Sequence, residues 1–352
     1  MNETDLTQAP RVLNVDCYFT PFDGYAYEKS CFETLGIELI LQEAETEDEI
    51  IRLAPGARVI LTEKLNTPMS RRVIETLDDC WAIGRYGIGV DSIDLEAATD
   101  RGIIVFNTAD YCVEEVSDHA AALLLASARR VVRLDRHVQG GGWSPPDSKN
   151  WGLRRLSQLT LGLVAFGNIA RCLARKMSGF GMTILASDPY VSPEVAAEYG
   201  VELVSLEHLL KESDLISVHA PLNAETRHLI GETELRQMKP TALIVNTSRG
   251  GVIDPDALIC ALKEGWIAGA ALDVTEPEPP PEDSPLRGIE NLILTPHQAA
   301  SSAESWTHVR RSVVDAVSSV VRGHWPAFPV NPKVQPKVSL KPYEAKSDPS
   351  HN

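Results

Sequence analysis

Short, almost uninterrupted apolar runs alternate with longer helical patterns along most of the 352-residue chain. Two examples are LIVN at 243–246 and AGAAL at 268–272. Runs that lack a polar face are typical of strands buried on both sides, and therefore of a parallel sheet covered by helices. Because strands and helices alternate over this length, the pattern predicts a doubly wound α/β fold.

The predicted elements share this alternation of β-branched runs and helical periodicity. The strand predictions are 11–15, 59–61, 82–85, 103–107, 160–165, 182–187, 215–219, 242–246, 268–273 and 292–294. The helix predictions are 114–130, 168–180, 206–212, 255–264 and 303–323.

Length and charge limit what the chain can be. A chain of 352 residues with 43% hydrophobic residues is expected to form two globular domains. Its formal net charge of −16 repels phosphate backbones, so we expect no direct nucleic-acid binding. The densest basic cluster, Arg129, Arg130 and Arg133, follows a predicted helix, where cations are favoured for electrostatic reasons alone.

The cysteines and the apolar runs indicate a cytoplasmic protein. The six cysteines form no C-x-x-C pair and have no zinc-ligand spacing, so we expect reduced thiols and no metal site. The first ten residues are polar and acidic, unlike an export signal. No apolar run approaches the roughly 20 residues that cross a bilayer, so no membrane association is expected.

A candidate nucleotide site lies at 160–176, where TLGLVAFGNIARCLARK has the pattern of a strand, a tight turn and a helix start. Asp188, followed by Pro189, stands 21 residues after Gly167, at the end of the next predicted strand. This is the layout of a dinucleotide fingerprint, with pyrophosphate at a helix N-terminus and a carboxylate on the adenosine ribose. A carboxylate there repels a 2′-phosphate, which favours NAD over NADP.

The three glycine positions of this fingerprint read Ala165, Gly167 and Ala170. The central glycine, where backbone approaches the pyrophosphate, is present, and alanine is a permitted variant at the third position. Alanine at the first position departs from the motif, because a tight turn there prefers glycine. An ordinary βαβ turn with small packing residues remains the alternative.

Several longer segments extend the pattern beyond the nucleotide site. They are IGRYGIGVDSID at 83–94, SVHAPLNAETRHLI at 217–230, MKPTALIVNTSRGGVID at 238–254, AGAALDVTEPEPP at 268–280 and NLILTPHQAASS at 291–302. With these segments the chain resembles the D-isomer-specific 2-hydroxyacid dehydrogenases, in particular the branch with D-3-phosphoglycerate dehydrogenases and C-terminal-binding-protein-like dehydrogenases. The resemblance covers roughly residues 13–332.

The resemblance implies three catalytic residues: Arg249, Glu278 and His297. Arg249 is expected to bind the substrate carboxylate, because a guanidinium fork matches a carboxylate with two hydrogen bonds. His297 is expected to be the acid/base, and imidazole exchanges protons near neutral pH. Glu278 is expected to orient the ring and to stabilise its protonated form.

Each of these residues, taken alone, has an ordinary explanation. An arginine after a strand is commonly a surface ion pair, a histidine before a helix is commonly a loop residue, and EPEPPPED is typical of a solvated loop. Their joint placement just past predicted strands favours catalysis, because ligands bind at the carboxyl edge of doubly wound sheets.

The resemblance also implies the cofactor contacts. We expect backbone amides to bind the pyrophosphate. Other residues are expected to line the adenine, the nicotinamide ribose and the nicotinamide ring. The implied residues are Gly167, Asn168, Ile169, Asp188, Pro189, His219, Pro221, Thr247, Ser248, Arg249, Asp273, His297, Ala299 and Ala300. Among them, Asp273 is expected to accept a hydrogen bond from the nicotinamide amide.

The implied substrate contacts are Lys64, Tyr86, Gly87 and Ile88, together with Arg249 and His297. In the glycine-rich turn at 86–89, backbone N–H groups are expected to bind the substrate carboxylate. Lys64 stands where a phosphoglycerate-type substrate calls for arginine, which disfavours that substrate.

The resemblance further implies a discontinuous organisation. We expect a substrate domain at 1–108 and 300–331, flavodoxin-like, and a Rossmann-like NAD domain at 109–299, with a cleft between them. Helix 114–130 is expected in a homodimer interface, although its apolar stripe fits core packing equally well. The Pro-, Lys- and Ser-rich tail at 332–352 is expected to be disordered, or ordered only by a partner.

Two other functions stay open on the residues alone. One is an NAD(H)-sensing binding protein on the same fold, as in transcriptional corepression by C-terminal-binding-protein relatives. The other is oxidation of a related small anion such as phosphite. An NAD-dependent D-2-hydroxyacid dehydrogenase acting on a small carboxylate is the favoured interpretation.

Overall fold

The computed structural model describes residues 9–18, 23–64, 67–143 and 153–344. The chain divides into two compact units, the first made of 1–111 with 302–352 and the second of 112–301. The sequence places these divisions at 108/109 and 299/300. Each unit is built around its own parallel sheet, so the prediction of two parallel α/β domains is confirmed.

The first unit contains a five-stranded parallel sheet in the order β2–β1–β3–β4–β5. The strands are β1 (Arg11–Asn14), β2 (Glu38–Leu41), β3 (Ala57–Thr62), β4 (Ala82–Arg85) and β5 (Ile104–Phe106). The helices are α1 (Ala26–Thr34), α2 (Glu47–Leu53), α3 (Arg71–Ile74), α4 (Leu95–Asp100) and, from the far end of the chain, α12 (Ala303–Val321). This strand order is the flavodoxin-like one.

Both faces of the first sheet are covered. One face packs on α1 and α12 through residues such as Phe32 and Val313, and the other packs on α2 to α4 through residues such as Ile50 and Val73. Tyr86, just past β4, is buried in the first of these clusters. Because strands β1, β3, β4 and β5 are covered on both faces, their sequences are largely apolar without alternation.

The second unit contains a seven-stranded parallel sheet in the order β12–β11–β10–β9–β6–β7–β8. The strands are β6 (Thr160–Val164), β7 (Thr183–Ser187), β8 (Glu202–Leu203), β9 (Leu215–Val218), β10 (Leu243–Asn246), β11 (Gly269–Leu272) and β12 (Leu292–Leu294). Read from β8, the order is the dinucleotide-binding one extended by one strand. Successive strands are added on one side of β6 up to β8 and on its other side from β9 onward. Sheets of this kind bind ligands at the point between β6 and β9 where this order switches.

The helices of the second unit cover both faces of this sheet. They are α5 (Val113–Ala128), α6 (Val131–Gln139), α7 (Asn168–Ser178), α8 (Pro193–Ala197), α9 (Leu206–Glu212), α10 (Glu232–Gln237) and α11 (Pro255–Glu264). The apolar stripe of α5 is buried, with Ala120, Leu123 and Leu124 in the same cluster as Leu173 of α7. That stripe therefore packs in the core of its own unit.

All predicted strands and helices are present, with ends shifted by no more than two residues. The sequence patterns missed β2 and α1 to α4 in the first unit, and β8, α6, α8 and α10 in the second. β2 is an edge strand whose residues are half-buried or exposed, and β8 has two residues. Helices α2 to α4 span two turns or fewer, so each presents few apolar positions to periodicity.

The expectation of a disordered tail is wrong for residues 332–344, which lie against the first unit. Lys337 donates its backbone N–H to Gly102 O at 3.1 Å and its Nζ to Leu77 O at 2.7 Å. Lys341 exchanges backbone hydrogen bonds with Gly323 and Trp325. These contacts use backbone groups and one lysine, so they leave no apolar periodicity in the sequence. Residues 345–352 lie outside the described residues.

No helix in the described ranges has the length and apolar composition needed to span a bilayer. The six cysteines are free thiols. Over the same ranges, His, Cys, Asp and Glu side chains form no group of three or more that could hold a metal.

Candidate active site

The carboxyl ends of β10, β11 and β12 carry the predicted catalytic groups. The turn with Arg249 follows β10, Asp273 follows β11 directly with Glu278 five residues further on, and His297 lies three residues past β12. Since neighbouring parallel strands end at the same edge, these side chains belong to one edge of the second sheet. All three predicted catalytic residues lie in the second unit.

His297 and Glu278 form a direct pair. His297 Nδ1 lies 2.5 Å from Glu278 Oε1, and the side chains are 26% and 30% exposed, so a solute can reach them. Within the described part of the chain, no group lies within hydrogen-bonding distance of the opposite ring nitrogen, Nε2. A carboxylate that accepts from Nδ1–H sets the tautomer and leaves Nε2 to exchange a proton with a ligand.

The turn that carries His297 is held by Asp273. The backbone N–H of His297 donates to Asp273 O at 2.8 Å, and the buried Asp273 carboxylate accepts from Gln298 N at 3.0 Å and Ala299 N at 2.8 Å. His297 itself adopts a left-handed backbone conformation with φ of 53°. Such a conformation in a non-glycine residue needs support from its surroundings, and the Asp273 bonds provide it.

The loop that carries Glu278 has a separate anchor at Glu276. Arg227 Nη2 donates to Glu276 Oε1 at 2.7 Å, and His228 Nε2 lies 3.3 Å from Oε2. Burial acts to raise the pKa of Glu276, but the hydrogen bonds from Arg227 and His228 outweigh it, so the pKa is lowered. Glu276 is therefore a stable anion that ties the Glu278 loop to the segment after β9.

Arg249 lies in a turn closed by Asn246. Asn246 Nδ2 donates to Arg249 O at 2.9 Å, and Asn246 Oδ1 accepts from the backbone N–H and the hydroxyl of Ser248. A Cβ on the next residue, Gly250, would lie 2.1 Å from the Thr275 carbonyl, so only glycine lets this turn approach the Glu278 loop. This contact brings the Arg249 turn and the Glu278 loop together.

The nucleotide fingerprint forms the predicted strand–turn–helix. Asp188 Oδ2 accepts from Phe166 N and Oδ1 from Tyr190 N, each at 2.8 Å, so its carboxylate is fixed beside the turn. A Cβ on Gly167 would meet no atom within 4 Å, and its φ of −76° suits any residue. Nothing within the described part of the protein therefore requires glycine there, whereas a bound pyrophosphate would.

Thr247 and His219 add to the fit of a nucleotide. The hydroxyl of buried Thr247 has no hydrogen-bond partner in the described ranges, as expected of a group that a ligand satisfies. His219 Nε2 lies 2.9 Å from Ser217 Oγ, and burial lowers its pKa to about 4, which keeps the ring neutral. His219 follows β9 and Thr247 follows β10, the two strands next to β6 on that side of the sheet.

The remaining predicted cofactor positions lie on the same segments. Ala299 is buried, and Ile169, Ser248 and Ala300 are half-buried; Asn168, Pro189 and Pro221 are exposed.

Ala165 stands in the left-handed region, with φ of 69°. We expect Ala165→Gly to raise the free energy of unfolding by about 1 kcal/mol, because left-handed backbone costs an alanine about 1–2 kcal/mol and glycine much less. Chemical denaturation measures this. The matched control is Ala170→Gly in the buried face of α7, which should lower stability. An unchanged or lowered stability of Ala165→Gly would contradict the prediction.

The predicted substrate contacts of the first unit are partly engaged in other interactions. Lys64 is exposed, and its Nζ lies 2.7 Å from Glu43 Oε2. The amides of Tyr86 and Gly87 donate to Thr62 O and Thr108 Oγ1 respectively.

The amide of Ile88, in contrast, has no hydrogen-bond acceptor among the described residues. Of the three amides, that of Ile88 is the one left to donate to a carboxylate.

Comparisons with known proteins identify the family. The model of the D-isomer-specific 2-hydroxyacid dehydrogenase NAD-binding domain matches residues 121–299. The chain belongs to this family. A glyoxylate reductase of Korarchaeum cryptofilum is 45% identical over 283 residues, covering 80% of this chain and 84% of the relative. A D-3-phosphoglycerate dehydrogenase of Methanocaldococcus jannaschii is 41% identical over 302 residues, covering 85% of this chain but 57% of that longer protein.

Solved structures agree with this assignment. A glyoxylate reductase from Paecilomyes thermophila superposes with a TM-score of 0.82 at 27% identity, covering 92% of this chain and 99% of that one. A D-lactate dehydrogenase from Aquifex aeolicus, complexed with NAD and lactic acid, gives a TM-score of 0.78 at 29% identity over 89% and 96% of the two chains. This D-2-hydroxyacid dehydrogenase is thus an NAD-dependent oxidoreductase of CH–OH donors.

The sequence patterns missed the residues that anchor the loop carrying Glu278. Arg227, His228 and Glu276 stand in polar stretches without periodicity, and their pairing joins positions 48 or 49 residues apart. No spacing rule connects such positions, so only the folded chain reveals them.

Proposed function

We propose that this dehydrogenase transfers a hydride reversibly between NAD(H) and a small D-2-hydroxy acid or 2-oxo acid, using Arg249, Glu278 and His297. The observation that carries the proposal is the 2.5 Å contact between His297 Nδ1 and Glu278 Oε1, with Nε2 left open. Together with Arg249, which follows β10 at the same edge of the sheet, this is the set of groups that proton transfer and carboxylate binding require.

In the oxidation direction, Arg249 holds the substrate carboxylate with its guanidinium. His297 Nε2 takes the proton of the 2-hydroxyl, and Glu278 stabilises the imidazolium that forms. Bound NAD supplies the acceptor for the hydride that leaves C2. In the reverse direction the imidazolium returns its proton to the 2-oxygen, and the ring is again neutral.

For the substrate, we propose a 2-oxo acid with a small, uncharged side chain. Lys64 is the cation expected near the distal group, and its pairing with Glu43 weakens it as a phosphate ligand. The open amide of Ile88 supports a role for this turn in binding the substrate carboxylate.

NADH oxidation against a panel of 2-oxo acids tests the proposal. The panel comprises glyoxylate, hydroxypyruvate, 2-oxoglutarate, phosphohydroxypyruvate and branched 2-oxo acids. We expect the highest kcat/KM with glyoxylate or hydroxypyruvate and a much lower value with phosphohydroxypyruvate. Tight NADH binding without turnover of any of them would overturn the catalytic proposal and favour an NAD(H)-sensing protein.

We further propose that Asp188 selects NAD over NADP, through hydrogen bonds to the adenosine ribose. Asp188→Ala should lower the ratio of kcat/KM for NADH to that for NADPH by about tenfold or more, because it removes charge-assisted bonds and the repulsion of a 2′-phosphate. Glu202→Ala, on an exposed edge-strand position, removes the same charge and serves as the control. An unchanged ratio of kcat/KM for NADH to that for NADPH in Asp188→Ala would refute this assignment.

A cytoplasmic homodimer is also proposed. Helix α6 has no buried residue, and its Val131 and Val138 are 53% and 44% exposed, which supports a second copy covering this helix. Light scattering at micromolar concentration would give the mass of the assembly, and a monomeric mass would refute the dimer.

A further inference from the structure

A chain of polar side chains runs from helix α5 to the turn that carries His297. His119, on α5, places Nε2 3.0 Å from Thr295 Oγ1, and Thr295 Oγ1 lies 2.6 Å from Asp273 Oδ1. Asp273 in turn accepts the backbone N–H groups of the two residues after His297. Three side chains thus connect a helix to the turn of the acid/base residue.

The direction of these hydrogen bonds follows from the chemistry of the groups. Asp273 accepts two backbone N–H groups, one on each oxygen, as a carboxylate does. The single hydroxyl proton of Thr295 is used in the 2.6 Å contact with that carboxylate, so Oγ1 can only accept from His119. His119 Nε2 therefore carries a proton, and His119 is the donor at the head of the chain.

The turn has a specific need for this support. His297 stands at φ of 53°, and its ring must keep Nδ1 on Glu278 while Nε2 faces the reacting oxygen. Of the three hydrogen bonds that the Asp273 carboxylate accepts, the one from Thr295 is the shortest. Without a donor at His119, Thr295 Oγ1 loses the partner that fixes its position, and its hydrogen bond to Asp273 is less constrained.

We propose that His119 is a positioning residue for catalysis, acting as a hydrogen-bond donor through Thr295 and Asp273 on the orientation of His297. The inference rests on the proposed role of His297. It does not require a charge on His119, although its Nε2 also lies 3.5 Å from Asp273 Oδ1.

The test compares four single variants and one double variant with wild type at saturating NADH and glyoxylate, with kcat calculated per NADH-binding site titrated by fluorescence. His119→Ala should lower kcat about three- to tenfold, the effect of one lost hydrogen bond. His119→Gln, whose amide can donate to Thr295 but carries no charge, should stay within about twofold of wild type. His208→Ala, an exposed histidine on α9, is the control.

A double-mutant cycle shows whether the two residues act through one chain. Thr295→Val, the fourth variant, should lower kcat as His119→Ala does, and the double variant should be no slower than the slower single variant. Any of three results would overturn the proposal. The losses in kcat of the two single variants could multiply in the double variant, His119→Ala could keep the wild-type kcat, or His119→Gln could lose as much kcat as His119→Ala.

A spectroscopic readout separates this inference from the proposed function. The Nδ1 proton shared by His297 and Glu278 should give a downfield NMR signal, identified by its absence in Glu278→Gln. His119→Ala and Thr295→Val should shift or broaden that signal, and His119→Gln should not. If wild type turns over no 2-oxo acid, the proposed function fails, but this signal still tests whether His119 acts on the His297–Glu278 pair. An unchanged signal in His119→Ala refutes the positioning role of His119.

Discussion

Replacing His297 with asparagine is expected to lower kcat about a thousandfold, within the range that a general acid/base contributes, while the Kd for NADH stays within about threefold. Asparagine is chosen over alanine because His297 adopts a left-handed backbone conformation, which asparagine tolerates well. The variant removes the imidazole and keeps the turn. Steady-state kinetics with glyoxylate and fluorescence titration of NADH measure the two quantities.

Two companion variants make this result specific. Glu278→Gln keeps the size of the partner but removes its charge, and kcat should fall about a hundredfold because the imidazolium is no longer stabilised. His208→Ala removes an exposed histidine and should behave as wild type. If His297→Asn keeps more than a tenth of the wild-type kcat with its circular dichroism unchanged, His297 is not the acid/base.

Arg249→Lys is expected to lower kcat/KM for the 2-oxo acid about a hundredfold while leaving NADH binding intact. Lysine keeps the positive charge but offers no planar fork, so a bidentate contact with the carboxylate becomes a single point contact. One lost charge-assisted hydrogen bond is worth about 1.5–3 kcal/mol, which sets this magnitude. Initial-rate kinetics over a range of substrate concentrations measure it.

The control for Arg249→Lys is Arg175→Lys, an exposed arginine near the end of α7. It should leave both kcat/KM and NADH binding unchanged. If Arg249→Lys raises the Kd for NADH as much as it lowers kcat/KM, then Arg249 serves the cofactor and not the substrate carboxylate.

The buried strands and long helices can be predicted from sequence because their apolar patterns report burial directly. The predicted bounds of strand β4 and helix α11 agree with the structure to the residue. The same logic fails for β2, a half-exposed edge strand, because its pairing leaves little mark on the hydrophobic pattern. The order of the tail at 332–344 is missed for a related reason, since backbone hydrogen bonds such as Lys337 N to Gly102 O do not depend on side-chain type.

In the candidate site, too, some features can be predicted from the sequence and others cannot. Arg249, Glu278 and His297 stand in segments that resemble a known family, so their positions follow from the sequence alone. The resemblance assigns Asp273 to the nicotinamide amide, whereas its carboxylate also holds the turn after His297. Contacts of this kind depend on three-dimensional placement, which no linear spacing encodes.

The division of the chain has a consequence for how such an enzyme can diversify. Every residue proposed to bind the cofactor or to transfer the proton lies in the uninterrupted segment 112–301, whereas Lys64 and the turn at 86–88 belong to the other unit. Mutations that reshape the first unit can therefore alter which side chain is accepted without disturbing the His297–Glu278 pair. We expect natural drift and laboratory evolution alike to find new substrates there, with the chemistry inherited unchanged.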